Sequence, residues 1–460
     1  MSGPEHRLLT WLTRAAQPGS CAVEARHEEA TQCRGLCATQ HCSAGDTLLR
    51  VPWNYVLTVH SAVRRLSSLE RKQQQLTHAT LADVLQLAAA ASSQDLVPPG
   101  SGWSLLLTLQ LLAELRDKRS LFAPYVASLP APSGSALSVA AHGPAPGCHL
   151  SLCTPAQLEC LNCPALMHAV LAERTRLCRL HAALFGDDAP LSFDSFAWAH
   201  ALVASRAVGL CMDATDAPSV RCLIPGIDLC NHSGCGATAS LRLTTAADAP
   251  VHRVGALVTP SAVELVAAGD LAEGAACLLD YGAHRLRHWC ATYAFIPVDD
   301  ARAEEVYEEV SLGDTGREQL LVTSSGGGSH LRLTVIHLQY SAVTYHVSNA
   351  DPAVATRVVL DDRLLRFLPP EEEAGLCRAL GVAAGEVASR MARDEDFLHA
   401  LACNADAAAA GLAPPSAHLA ARFRAARLQL LRRASDGLMT HAMLLCAHKP
   451  SHDSCTCACD

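Results

Sequence analysis

Residues Leu223–Gly234 read LIPGIDLCNHSG. The stretch opens as an apolar run, holds one carboxylate at Asp228, and closes on Cys230, Asn231 and His232. Burying polar groups without partners is costly. A core segment therefore does not end on an Asn-His pair unless other chain segments or a ligand supply those partners. Read alone, the pair is also compatible with a polar turn closing a strand.

The chain around it has 460 residues, 50% hydrophobic and 18% charged, with a formal net charge of −9. It is long enough for two domains or one domain with a large insertion. The charge shows no long run of one sign, so nothing favours coating nucleic acid. No uncharged apolar run is long enough to span a membrane. The start, MSGPEHRLLTWLTRAAQPGS, is too polar for a secretory core and reads as a short amphipathic helix with Leu8, Leu9, Trp11 and Leu12 on one side. The expected compartment is cytosol or nucleus; an organellar address stays open, with Glu5 against it. The 21 cysteines are then expected as thiols. Cys148, Cys153, Cys160 and Cys163 have metal-ligand spacing, as do Cys455, Cys457 and Cys459 near His448 and His452. The favoured reading of both groups is small buried thiols and a tail, with no metal site.

Along the chain, 33–59 reads as short strands punctuated by Gly35, Gly45 and Pro52. A polar, Ala-rich stretch follows to about 95. Trp103–Leu115 has helical length and is apolar nearly all round, which predicts a buried helix. A Pro/Gly/Ser-rich loop begins at Pro124. Residues 154–184 read helical, opened by TPAQLE, and SFDSFAWAHALVASRAV repeats apolar residues at helical spacing. After Leu223 the segments LRLTT, ALVT, VELVA and CLLDY are rich in β-formers. Past Pro297 a charged helical pattern leads to strand-like RLTVIHLQYSAVTYHV, and 361–448 reads helical. CSAGDTLLRVP and LAEGAACLLDY echo each other, each with a Gly turn before a strand. SSGGGS lacks the following Gly-Lys-Ser/Thr of a phosphate loop, and neither a deaminase zinc signature, His-Glu-x-x-His nor Gly-x-Ser-x-Gly is present.

Taken in order, CRGLCAT, SAGDTLLRVP, LLAELRDKRSLFAPYVASLP, FAWAHALVASRAV, LIPGIDLCNHS and LAEGAACLLDYG with YAFIP resemble the motifs of SET-domain methyltransferases. The resemblance is to the group that includes the Rubisco large-subunit lysine methyltransferase, and it covers about 1–297. It implies an α+β fold: a β-rich SET domain over 1–297 interrupted by a helical insertion at about 85–205. A mainly helical substrate-docking domain over 298–445 and a disordered Cys-rich tail, 446–460, would follow.

The same resemblance implies transfer of a methyl group from S-adenosylmethionine to the ε-amine of a lysine in a protein substrate, with no metal required. Tyr281 matches the catalytic tyrosine, and Gly282 permits the turn after it. Asn231 and His232 match the pair closing the cofactor pocket. Arg206 matches an Arg that meets the cofactor carboxylate. Asp228 is either a carboxylate orienting that network or a strand-end residue. Arg34, Gly35 and Leu36 would approach the cofactor by backbone, and Phe295 would form apolar wall.

Three positions depart from the pattern: Cys33 stands where Gly is usual, Arg285-Leu286 where Ser-Asn is common, and Ala294 where Gly is usual. Ala294 costs little if its backbone is ordinary. Val208, just after Arg206, is apolar and offers an imidazole no polar partner, which favours lysine over histidine as acceptor. Two other readings stay open: a non-catalytic SET-like protein-binding module, and a zinc-dependent interaction protein built on the Cys clusters.

Overall fold

The structure is a computed structural model. It describes residues 3–16, 21–28, 33–72, 76–90, 102–130, 149–153, 158, 161, 163–186, 191–211, 220–234, 236–244, 260–282, 284, 286–295 and 297. Beyond these it describes the backbone of five strands between 308 and 359, and helical residues within 374–392 and 423–443. The chain divides into two compact units. The first is Met1–Pro155, Cys163–Tyr281 and Ala291–Ala294; the second is Ala156–Asn162, Gly282–Cys290 and Phe295–Asp460. Among the described residues no helix is long and apolar enough to cross a membrane.

The first unit begins with the amphipathic helix α1, Pro4–Ala15, which buries Leu8, Leu9 and Leu12. Trp11 packs edge-on against Tyr55 at 4.9 Å. Three small sheets follow. One has the order β1 (Val23–Glu28), β2 (Cys33–Ala38), β10 (Ala276–Leu279), β7 (Asn231–His232). The second is β3 (Thr47–Pro52), β9 (Ala262–Ala267), β8 (Ala239–Thr244); the third is β4 (Leu57–Thr58), β6 (Val220–Leu223), β5 (Val208–Leu210). All pairs within them are antiparallel except β10 with β7.

β9 is buried at every position and yet contains Glu264, 4% exposed. The register explains it. Arg50 on β3 and Arg242 on β8 lie opposite Glu264. Arg50 Nη1 donates to its carboxylate at 2.6 Å, and Arg242 Nε and Nη2 donate at 2.9 and 2.8 Å. A buried charge held from both sides keeps its partners where a lone one would not be tolerated.

The echo between CSAGDTLLRVP and LAEGAACLLDY is structural. Cys42 and Leu271 exchange a pair of backbone hydrogen bonds at 2.9 and 2.8 Å. Gly45 N donates to Ala267 O and Gly274 N to Ala38 O, at 2.9 and 2.8 Å, in matching places of the two turns.

Helices fill the chain between β4 and β5: α2 (Val59–Arg71), α3 (Leu81–Ala90), α4 (Gly102–Arg116), α5 (Ala123–Ser128), α6 (Pro164–Phe185) and α7 (Phe193–Arg206). The helical part thus starts at 59, not near 85. Its first helix is opened by a capping box: Ser61 N donates to Thr58 Oγ1 at 3.0 Å and Thr58 N to Ser61 Oγ at 2.8 Å. α4 buries every residue from Ser104 to Glu114, as its all-round apolar composition predicts. The expected loop from Pro124 is helical through Ser128. Residues 131–148, the TPAQ opening at 154–157, and the ALVT segment lie outside the described residues.

The second unit corrects the expectation of a mainly helical 298–445. Five strands form an antiparallel meander: β11 (Glu308–Ser311), β12 (Glu318–Ser325), β13 (His330–His337), β14 (Ser341–Ser348) and β15 (Thr356–Val359). Among the described residues, helical ones follow from 374. The charged residues that resemble a helix supply two strands of this sheet, because cross-strand pairing overrides a weak local preference. The tail, 446–460, lies outside the described residues.

Candidate active site

The opening stretch becomes a turn between two strands. Cys222 and Leu223 end β6, and a 3₁₀ turn at Ile227–Leu229 redirects the chain into β7. Gly226 makes the turn at φ +83°, where L side chains are strained. A Cβ there would also come within 2.7 Å of Leu12 Cδ1 on α1.

Asn231 and His232 are the two residues of β7 and pair in parallel with Leu278 and Leu279 of β10. β10 in turn pairs with β2, Cys277 opposite Leu36. Three distant segments are thereby joined edge to edge. Asn231 lies against Gly35: a Cβ on Gly35 would stand 2.9 Å from Asn231 Nδ2. The side-chain amide of Asn231 makes no hydrogen bond among the described residues. Leu36 is fully buried. The Arg34 side chain turns away from β7, ion-pairs with Glu5 on α1, and donates to the Ser128 carbonyl at 2.8 Å.

Tyr281 follows β10. Its hydroxyl donates to the Cys230 carbonyl at 2.5 Å, and its backbone N–H donates to His232 Nδ1 at 3.2 Å. His232 Nδ1 is thus an acceptor, which places the proton of the neutral ring on Nε2. The His232 and Tyr281 rings lie 5.1 Å apart, and Tyr293 lies 5.4 Å from Tyr281 on its own account. Burial above all, then the neighbouring Cys230, raises the Tyr281 phenol above its ordinary pKa. Burial likewise raises that of Tyr293. Both hydroxyls are protonated at neutral pH.

Arg206, the last residue of α7, reaches Asp228. Its Nη1 donates to the Asp228 carbonyl at 2.8 Å and to Oδ2 at 3.3 Å. The Asp228 side chain is 1% exposed. Oδ2 also accepts from the Tyr125 hydroxyl at 2.9 Å, while Oδ1 is buried with no hydrogen-bond partner among the described residues. Nε and Nη2 of Arg206 have no partner among the described residues. That leaves one edge of a fixed guanidinium able to take a carboxylate in bidentate fashion.

Phe295 groups with the second unit, where its ring lies 5.2 Å from Trp289. Ala294 departs from expectation: its φ is +57°, so its backbone is not ordinary, and a Cβ is carried where Gly is unstrained. Cys33, by contrast, is extended strand opposite Glu28, where a side chain is normal. Arg285 lies outside the described residues.

Sequence reasoning missed Tyr125 and Tyr293. Tyr293 lies in YAFIP, two residues before Phe295. Nothing in the sequence pairs Tyr125 with a carboxylate so distant along the chain. Of the expected Cys clusters, Cys153 and Cys163 are buried thiols, and Cys148, Cys160 and the tail cysteines lie outside the described residues. Among the described residues no three His, Cys, Asp or Glu side chains are placed to hold a metal ion.

The sequence matches no protein-family model and no curated protein. Solved structures are similar. The SET domain of LSMT bound to lysine and AdoHcy superposes with a TM-score of 0.56 at 14% identity, covering 96% of this chain and 92% of that one. The same domain bound to methyllysine and AdoHcy gives 0.58 at 14% identity, with 97% and 93% covered. Rubisco LSMT bound to AdoMet gives 0.55 at 14% identity, with 97% and 93% covered. This likeness of backbone over nearly the whole chain shows the SET-domain fold.

Proposed function

We propose that this protein is a protein-lysine N-methyltransferase using S-adenosylmethionine. The observation that carries the reading is the meeting of Gly35, Asn231 and Tyr281 on three adjoining strands and their ends, with the Arg206 guanidinium beside them. The residues fit such a cofactor. The unused amide of Asn231 offers a donor and an acceptor to its polar groups, the open edge of Arg206 suits its carboxylate, and the packed backbone at Gly35 permits close approach. When bound, the cofactor supplies a methyl group on a positively charged sulfur.

The remaining work falls to the chain. Tyr281 stays protonated and spends its proton on the Cys230 carbonyl, so it is no base. In the proposed complex its oxygen accepts from the substrate amine and aims the nitrogen lone pair. The amine must be neutral, although free lysine has a pKa of about 10.4. An apolar, aromatic-lined approach and a nearby positive charge both lower that value. Holding amine, methyl and sulfur in line is worth up to about 7–11 kcal/mol in ideal cases.

Lysine is favoured as acceptor by the apolar Val208 and by structural neighbours described as binding lysine or methyllysine. Incubating the protein with tritiated S-adenosylmethionine and cell lysate tests the reading. Acid hydrolysis of labelled protein should release methyllysine. Methylhistidine instead would move the acceptor to imidazole. An absence of both label and cofactor binding by calorimetry would favour a non-catalytic binding module. Cytosol or nucleus is the proposed compartment, checked by imaging the tagged full chain.

A further inference from the structure

We propose that Tyr125 is a positioning residue that fixes the Arg206 guanidinium for a ligand carboxylate; the inference rests on the functional reading above. Its hydroxyl belongs to a fully enclosed side chain, 1% exposed, and donates to Asp228 Oδ2 at 2.9 Å. The same oxygen receives Arg206 Nη1 at 3.3 Å, and the Asp228 carbonyl receives it at 2.8 Å. Asp228 is therefore held from two sides. With the hydroxyl removed, Arg206 would have a carboxylate free to swing toward it, and its open edge would lose a defined direction.

The helix that carries Tyr125 is itself braced. Just past α5, the Pro130 carbonyl accepts from Trp198 Nε1 at 2.9 Å, and Trp198 lies about two turns before Arg206 on α7. At the end of α5 the Ser128 carbonyl accepts from Arg34, the neighbour of Gly35, at 2.8 Å. α5 thus joins the helix bearing Arg206 to the strand bearing Gly35, and Tyr125 is the side chain it contributes to the network. A buried phenol placed only for packing would not need its polar end against a charged pair.

The test compares two ligands of the full chain by calorimetry. S-adenosylhomocysteine carries the amino-acid carboxylate; 5′-methylthioadenosine lacks it. Tyr125→Phe should weaken S-adenosylhomocysteine about tenfold and change methylthioadenosine less than twofold, with the circular dichroism of the wild type. Equal weakening of both, or of neither, overturns the positioning role while leaving the functional reading intact. Failure of the wild type to bind S-adenosylhomocysteine overturns both. If Tyr125→Phe does not fold, Asp228→Glu, which keeps the charge and displaces it by one methylene, carries the same expectation and the same refutation.

Discussion

Gly35 and Asn231 constrain each other. The amide of Asn231 occupies the space a side chain at 35 would need, at 2.9 Å. Gly35→Ala should therefore cost about 1–3 kcal/mol, the usual range for forcing an atom into a packed place. In an Asn231→Ala background the same change should cost well under half as much, measured by urea unfolding. Ala294 shows the opposite situation, a side chain held at φ +57°. Left-handed backbone costs an L-residue about 1–2 kcal/mol, part of which a glycine returns through its freer unfolded chain. Ala294→Gly should raise stability by about 0.5–1 kcal/mol in thermal unfolding, and a loss would show that the conformation is not strained. Asn231, His232 and Tyr281 stand out in the sequence through the ordered motifs that resemble the SET family; read alone, an Asn-His pair is compatible with a turn and a strand tyrosine with ordinary packing. Tyr125 was not legible, because the segment from Pro124 reads as a Pro/Gly/Ser-rich loop, in which nothing marks a buried phenol or its distant carboxylate partner.

Helix α7 shows how one element serves both core and site. Arg206 ends it near Asp228, while His200 on its buried side is 5% exposed. Burial lowers the pKa of His200 to about 4 from the ordinary 6.5, with Glu173 opposing and Arg176 assisting. The unfolded chain takes up a proton below 6.5 and the folded chain does not until about 4. Stability is therefore full above 6.5 and falls as the pH drops toward 4, by about 2 kcal/mol at pH 5. Urea midpoints at pH 7 and pH 5 check this. The wild type should lose more than a His200→Leu variant, and equal losses would place the titration elsewhere. α7 and α4 were readable from helical spacing and all-round apolarity. α2 was not, because Ser61 occupies the place where Glu or Gln usually signals a capping box.

For the molecule as a whole, the motifs that carry the site are distant along the chain and close on one another through the first unit's sheets; their order is informative because it resembles that of the SET family. The second unit gave less away. Its five-stranded meander is built partly from Glu- and Gln-bearing segments such as Glu308–Ser311 and Glu318–Ser325, whose residues favour helices when isolated. Only long-range pairing decides such a case, and a single sequence does not display it. The central claim is that the neutral Tyr281 hydroxyl, fixed on the Cys230 carbonyl, directs an amine onto a methyl group held by the same three segments. Single-turnover methyl transfer from saturating S-adenosylmethionine, in wild type and Tyr281→Phe, tests it most directly. The account predicts a rate lower by about 100-fold or more, with cofactor affinity within twofold of the wild type. An unchanged rate, or a loss of affinity matching the loss of rate, would contradict it.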